Sequence, residues 1–249
     1  MSNYQSVFER KEIKYVISFQ KWKNLLHELE PFMELDKYGK HLITNIYYDT
    51  QTWYLIRHSM SRPVYKEKVR LRSYGVPTER EQVFMELKKK YKGVVYKRRT
   101  DLRLNQAERF LAHEPVTAAH INRQIMHEFE AVLNTYPDLK PAMYLSYERM
   151  AYVGKEDDSV RITFDQDILY RTDDLSLMAG SYGESILQQN ELLMEIKISG
   201  GMPIWLANIL SENQIFPSKF SKYANAYKKY LEKQSSTPIK KNEKEVYSA

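Results

Sequence analysis

Alternation of charged and apolar side chains along most of the predicted strands constrains the fold of this chain more than any other feature. In the segment KEKVRLR (66–72), a strand would place four cations on one face, because side chains alternate with a period of two. Val69 and Leu71 would then lie on the opposite face, together with Glu67. A single strand of this kind could simply expose its cations to water.

The same alternation recurs on six further predicted strands, so a single wet sheet face does not explain it. The charged faces hold Arg10, Glu12 and Lys14; Glu86, Lys88 and Lys90; Lys97 and Arg99 beside Val95; Tyr147 and Arg149; Arg161, Thr163 and Asp165; Glu195 and Lys197. The chain also contains helices with apolar stripes, which need apolar sheet surface to pack against. We therefore expect the apolar strand faces to meet helices outside and the charged faces to meet each other inside.

The coarse order of elements indicates an α+β protein with a large, mostly antiparallel sheet or a closed barrel. Strands are predicted over 7–18, 42–49, 64–74, 82–90, 94–102, 142–153, 159–168 and 191–199. Helices are predicted over about 19–30, 105–113, a stretch after Pro115 that ends near Tyr136, 203–213 and 218–232. Residues 1–232 are expected to form one domain, and the polar segment 233–249 is expected to be a disordered tail.

The positive charge of the chain is local. Residues 66–103 hold 13 Lys and Arg against five acids, whereas the net charge of the whole chain is +6. A concentrated positive field favours a polyanionic partner, and burying these cations without a counter-charge would be very unfavourable. The acids Glu12, Glu86 and Glu195 among the cations are hard oxygen ligands of the kind that Mg²⁺ or Mn²⁺ uses when it bridges to phosphate.

Composition indicates a soluble cytoplasmic protein. The chain has no cysteine, its first residues contain no apolar signal region, and no run of 18 apolar residues predicts a membrane span. A membrane-protein partner and the oligomeric state are left open by the sequence.

Nine short motifs, in order and with matching strand parity, resemble the VTC polyphosphate polymerase domain. They are RKEIKY (10–15), YYDT (47–50), VRLRSYG (69–75), MELKKK (85–90), YKRR (96–99), YERMAY (147–152), RITFD (161–165), MEIKI (194–198) and FSKY (220–223). That domain belongs to the triphosphate tunnel metalloenzymes, which are relatives of the CYTH proteins. The resemblance spans about residues 7–230. It implies an eight-stranded, mostly antiparallel closed β-barrel, a tunnel with basic walls and with helices packed outside.

The resemblance also implies an activity and a site. Members of the family transfer the γ-phosphoryl group of ATP to a growing inorganic polyphosphate chain with a divalent metal, Mn²⁺ or Mg²⁺. Carried over by motif, the catalytic phosphate-binding residues would be Lys14, Arg70, Arg72, Lys88, Lys97, Arg149, Arg161 and Lys222. Flanking substrate-binding residues would be Arg10, Lys66, Lys68, Lys90, Arg99, Tyr147, Lys197, Lys219 and Ser221. Glu195 would be the main metal ligand, helped by Glu12 or Glu86.

Three points in the motifs remain open. Arg10 stands where the wider superfamily has the first Glu of Glu-x-Glu-x-Lys, which removes one metal ligand and disfavours a two-metal hydrolytic site. Both Arg149 and Arg161 have inward parity. The segment SKFSKY (218–223) contains two Ser-Lys pairs, so either Lys219 or Lys222 could be the phosphate ligand.

Two other classes of function compete with the polymerase. One is a tunnel-type triphosphatase that hydrolyses inorganic or organic triphosphates. The other is a binding module for polyphosphate or RNA without catalysis. Nucleic acid is disfavoured as a partner, because single-strand binders use aromatic side chains beside the basic groove and few aromatics share the basic faces here.

Overall fold

The computed structural model describes residues 10–116 and 122–236, except for the side chain of Arg10. The first residues of the predicted strand 7–18, the predicted role of Arg10 and most of the predicted disordered tail lie outside the described part of the chain.

The described residues form ten strands and six helices. The strands are β1 (Arg10–Ser18), β2 (Met33–Leu35), β3 (His41–Asp49), β4 (Tyr65–Tyr74), β5 (Gln82–Tyr91), β6 (Val94–Arg103), β7 (Lys140–Gly154), β8 (Arg161–Arg171), β9 (Glu184–Ser185) and β10 (Glu191–Ser199). The helices are α1 (Phe19–Leu29), α2 (Tyr54–Met60), α3 (Leu104–Leu111), α4 (Arg123–Thr135), α5 (Ile204–Glu212) and α6 (Lys222–Ser236).

Eight of the strands form one antiparallel sheet in the order β1-β10-β8-β7-β3-β4-β5-β6, with β2 added to β7 and β9 added to β8. This confirms the predicted α+β class and the large antiparallel sheet. Strands β1 and β6 stand at the two ends of this order, and no pairing between them is found in the described ranges. The predicted closure into a barrel by hydrogen bonds is therefore not confirmed.

The sheet nevertheless brings the charged faces of distant strands towards each other. Glu12 on β1 and Lys197 on β10 both interact electrostatically with Lys88 on β5. Lys14 on β1 likewise interacts with Lys68 on β4. These strands are far apart in the sheet order, so the sheet curves around its charged face, which we call the inner face.

The apolar strand faces pack against helices on the outside, as the alternation predicts. On β4 to β6, Val69, Leu71 and Met85 form one core with Phe110 of α3 and Phe129 of α4. A second core joins the outer faces of β1, β8 and β10 to α1 and α5. A third cluster lies on the inner face, where α6 packs against β3, β7, β8 and β10.

Some local predictions differ from the structure. The strands β2 and β9 and the helix α2 are not predicted, and α6 begins at Lys222 rather than at residue 218. Residues before Lys222 are held outside the helix because the Ser218 backbone N donates to the Lys14 backbone O at 2.7 Å. Helix α6 ends at Ser236, so residues 233–236, predicted to be tail, are helical.

On the outer face, Lys89 and Arg98 are half-buried and form ion pairs with Glu128 of α4. No helix in the described residues combines the length and the apolar character that a membrane crossing requires.

Candidate functional site

One carboxylate organises four cations on the inner face of β4, β5 and β6. Glu86 is 2% exposed, and its oxygens accept from Arg70 Nε at 2.7 Å, Arg99 Nε at 2.8 Å and Lys97 Nζ at 2.7 Å. Arg72 Nε lies 3.7 Å from the same carboxylate. Burial raises the pKa of Glu86, but the neighbouring cations outweigh it and hold that pKa far below its usual range. Glu86 is thus an ionised counter-charge that fixes four cations and leaves a positive excess.

Strand register explains this cluster. Arg70 on β4 pairs with Glu86 on β5, which in turn pairs with Arg99 on β6. Side chains directly opposite in antiparallel strands lie close enough to interact. The next inward position continues the row with Lys68 opposite Lys88, and Lys88 opposite Lys97.

A second cluster contains two buried carboxylates, Glu195 on β10 and Asp165 on β8. Arg149 Nε donates to Asp165 Oδ1 at 2.6 Å, and Lys222 Nζ lies 2.5 Å from Asp165 Oδ2. The same lysine lies 2.9 Å from Glu195 Oε1, and Lys14 Nζ lies 3.0 Å from that oxygen. Burial raises the pKa of Glu195, whereas Lys222, Lys14 and Arg149 lower it and prevail, so both acids stay ionised.

Tyr147 connects the two clusters. Its hydroxyl oxygen accepts from Arg72 Nη2 at 3.1 Å, and Lys222 Nζ lies 4.6 Å from its ring centroid. Arg149 lies 5.2 Å from the same ring. The Glu86 cluster and the Glu195–Asp165 cluster therefore form one site rather than two.

Helix α6 holds this site in place from its N-terminus. Tyr223 stacks on Tyr47 of β3 at 4.3 Å between ring centroids, and its hydroxyl donates to Asp49 at 2.8 Å. The Tyr47 hydroxyl oxygen accepts from Arg70 Nη1 at 2.9 Å. Burial raises the pKa of Tyr47, but Arg70 and Lys68 outweigh it and lower the pKa to about 8.

Four lysines extend the site along β4 and β5. Among the described residues, no carboxylate forms an ion pair with Lys66, Lys68, Lys88 or Lys90. Lys66 and Lys90 pair across the strands and line a cavity of ≈ 420 Å³ together with further cations. Those further cations are Arg62 and Lys92. This row could neutralise several successive negative charges of one ligand.

The structure places the alternative phosphate ligands differently. Arg149 and Lys222 lie in the Glu195–Asp165 cluster, whereas Arg161 is exposed at the start of β8, 3.8 Å from Asp36. Lys219 is exposed as well. Geometry therefore favours Arg149 and Lys222, although the roles of all predicted site residues stay predictions.

Ser221 lies beside the site. Its hydroxyl accepts from the Ala224 backbone N at 3.4 Å at the start of α6, and Lys68 Nζ lies 3.5 Å from it. Asp165, Tyr47, Tyr74 and Phe84 also contribute to the site, but the sequence analysis predicts no functional role for them. Their inward parity is the one sequence signal that could identify them, because their contacts depend on the order of the strands in the sheet.

The acids of the site suit a divalent metal only in part. No group of three Asp, Glu or His side chains that could hold a metal ion occurs in the described residues. Cations contact both buried glutamates, but Glu195 shares its partner Lys14 with the more exposed Glu12, whereas Glu86 has no second carboxylate beside it in the described ion pairs. Glu12 and Glu195 lie on the neighbouring strands β1 and β10 and interact electrostatically. Mg²⁺ at phosphate sites is commonly held by one or two carboxylates with phosphate oxygens, so Glu12 and Glu195 fit an ion that arrives with a phosphate ligand.

Solved structures share this fold at low sequence identity. A putative adenylyl cyclase from Hippeastrum, described as having a dominant triphosphatase activity, is 16% identical, with a TM-score of 0.53 over 88% of this chain and 95% of that chain. A putative adenylate cyclase from Bacillus halodurans is 16% identical, with a TM-score of 0.51 over 85% of this chain and 95% of that chain. No curated protein sequence matches this chain.

The chain thus shares the fold of these two putative cyclases, with a curved antiparallel sheet whose inner face is cationic. More narrowly, the sequence model of the VTC domain matches residues 9–231, and the chain belongs to the VTC domain family.

Proposed function

We propose that the protein is a metal-dependent polyphosphate polymerase that transfers the γ-phosphoryl group of ATP to the end of an inorganic polyphosphate chain. The observation that carries this proposal is the row of lysines beyond the two clusters. From Arg70 to Lys66 the strand rises about 13 Å, and every inward side chain on the way is cationic. A path of this length suits a linear polyanion better than a single triphosphate.

The site chemistry suits phosphoryl transfer, which depends on in-line positioning and on neutralising the charge that spreads over phosphate oxygens. Arg70 and Arg72 present planar guanidinium groups that can bind phosphate through two nitrogens, and Lys14 and Lys222 act as point charges. Glu12 and Glu195 would hold Mg²⁺ or Mn²⁺, which when bound neutralises further phosphate charge.

The proposed reaction balances without a general base. An ionised terminal oxygen of the polyphosphate chain forms a bond to the γ-phosphorus of ATP. The bond between that phosphorus and the bridging oxygen breaks, and ADP leaves with the bridging oxygen. The chain grows by one phosphate and moves towards the lysine row. Cytoplasmic ATP as the donor is part of this proposal.

Hydrolysis of triphosphates is the second candidate. The triphosphatase activity ascribed to the Hippeastrum protein of similar fold supports it. In that case water would take the place of the polyphosphate chain as the acceptor. Arg10, in place of a superfamily Glu, counts against it because a carboxylate is lost.

Purified protein incubated with ATP and Mn²⁺ tests the proposal. We expect ADP together with polymer, measured by gel and by phosphate release after polyphosphatase treatment. Orthophosphate without polymer would indicate the triphosphatase, and the absence of both products would contradict each enzymatic function.

Glu195→Ala separates catalysis from binding. We expect loss of turnover with retained polyphosphate binding, because the variant removes a carboxylate and leaves the cations. Glu34→Ala, on the exposed side of β2, is the matched control and should retain both properties. If Glu195→Ala turns over normally, Glu195 has no essential role in the reaction.

A further inference from the structure

Aromatic side chains occupy the inner face beyond Arg72 and Glu86. Tyr74 follows Arg72 by two positions on β4, and Phe84 precedes Glu86 by two positions on β5, so both point to the inner face. Ring centroids lie 5.7 Å apart for Tyr74 and Phe84 and 6.0 Å apart for Tyr74 and His41. We call Tyr38, His41, Tyr74 and Phe84 the aromatic rim, since Tyr38 contacts His41 at 6.4 Å.

Much of this rim is accessible. Tyr74 is 50% exposed and Tyr38 is 66% exposed, whereas Tyr47 and Tyr147 on the same face are buried by their neighbours. The rim thus presents aromatic surface beside a strongly cationic site, although the sequence alone indicates few aromatics on the basic faces. This combination recurs where proteins bind nucleotides, because every nucleobase offers a π-face for stacking.

Arg99 links the rim to the phosphate-binding cations. Its guanidinium carbon lies 4.2 Å from the Phe84 ring centroid, and its Nη2 donates to the Tyr74 hydroxyl at 3.1 Å. The same guanidinium donates to Glu86. One side chain therefore contacts both the rim and the Glu86 cluster.

We propose that the aromatic rim is the nucleobase subsite of the nucleoside triphosphate donor, with the base stacked on Tyr74. This inference rests on the proposed function only in taking a nucleoside triphosphate as the ligand. Tyr74 lies about 7 Å along β4 from Arg72, so base and triphosphate would follow one strand. The lysine row begins at the opposite end of that strand, so the donor would enter at the rim and the polymer would leave past Lys66 and Lys90.

Calorimetric titration tests the subsite without requiring turnover. The two probes are a non-hydrolysable ATP analogue and inorganic triphosphate, each with Mg²⁺. We expect wild-type protein to bind the analogue more tightly than inorganic triphosphate. Tyr74→Ala should lower the affinity for the analogue roughly tenfold and leave the affinity for inorganic triphosphate nearly unchanged. The subsite would be overturned if the variant lowered both affinities equally or neither, or if wild-type protein did not prefer the analogue.

Two control variants keep the result specific. Tyr74→Phe removes the hydrogen bond from Arg99 and keeps the ring, so we expect it to retain most of the affinity for the analogue. Tyr96→Ala removes an exposed ring on the outer side of β6 and should leave both probes unchanged. If Tyr74→Phe loses as much affinity as Tyr74→Ala, the effect comes from Arg99 and stacking is refuted.

This experiment is independent of the polymerase assay. Loss of the base-dependent affinity in Tyr74→Ala would establish the subsite even if ATP gave no polymer. Conversely, if wild-type protein forms polymer but Tyr74→Ala changes the affinities for the two probes equally, the polymerase is supported and the subsite is refuted.

Discussion

Lys68 is a cation of the site whose charge changes just above neutral pH. Burial lowers its pKa, the Tyr47 hydroxyl opposes that effect, and Lys88, Lys66 and Lys14 lower it further, to about 8. The groups that face it are those four residues, with Ser221 and the ring of Tyr223 on α6.

We expect affinity for polyphosphate to fall as the pH rises from 7 to 9. Lys68 loses its positive charge over this range, and Tyr47, whose pKa is also about 8, gains a negative one, so both changes weaken anion binding. Binding isotherms at constant ionic strength measure the effect. A double variant with Lys68→Arg and Tyr47→Phe keeps the charge pattern fixed and should flatten the profile. An unchanged profile in that variant would contradict the assignment.

Side-chain parity predicted which residues line the inner face, but not which of them meet. Lys14, Arg70, Arg72 and Lys88 follow from period-two alternation alone. The sequence could not predict that Asp165 and Glu195 share Lys222, because β8 and β10 become neighbours only through the sheet order. For a similar reason, a carboxylate such as Glu86 resembles a metal ligand in the sequence, since the cations around it come from neighbouring strands.

Among the elements, the short helix α2 shows the limit of pattern reading. It has seven residues, too few for helical periodicity to stand out, and its first turn is capped from the preceding strand. Asp49 at the end of β3 accepts from the backbone N of Leu55 at 2.8 Å and of Ile56 at 3.0 Å. By contrast, strands β4 to β6 were predicted well, since their turns and alternation are local.

Asp49 also joins α2 to α6 through Tyr223, and this link supports the position of Lys222. We expect Tyr223→Phe to lower the free energy of unfolding by about 1–2 kcal/mol, because a buried carboxylate loses a hydrogen bond while ring stacking on Tyr47 is kept. Turnover should fall as well, since the neighbouring Lys222 loses its fixed placement. Urea unfolding and the polymerase assay measure the two effects.

Tyr227→Phe is the matched control for this prediction. Tyr227 lies one turn further along α6 and is buried in the same inner cluster. We expect a smaller change in stability and near-normal turnover. If both variants behave alike, the hydrogen bond to Asp49 does not position the start of α6.

At the scale of the whole molecule, the sequence predicts a sheet whose charged faces meet, but it does not predict whether the two edge strands pair and close the sheet. Period-two alternation identifies the inner face of each strand, whereas closure depends on whether β1 and β6 pair. Curvature, by contrast, follows from the interactions of Glu12 and Lys14 with β5 and β4.

This concentration of like charge makes the stability of the fold depend on anions. Cations outnumber acids on the inner face, so their mutual repulsion opposes the folded state in the absence of ligand. We expect polyphosphate at 100 times its Kd to stabilise the fold by about 2.7 kcal/mol, which raises Tm by roughly 5–10 °C for a chain of this size.

The salt dependence of Tm tests whether charge repulsion and its neutralisation by polyphosphate cause this stabilisation. Raising NaCl from about 50 to 500 mM shortens the Debye length from about 14 to about 4 Å, so repulsion among the inner cations is screened. We therefore expect the Tm of the ligand-free protein to rise and, at one fixed polyphosphate concentration, the polyphosphate-induced shift to shrink, both measured by differential scanning calorimetry. A Tm shift that is equal at both salt concentrations would mean that polyphosphate is not held by the cationic inner face, because a site built from lysine and arginine must lose affinity as salt screens it.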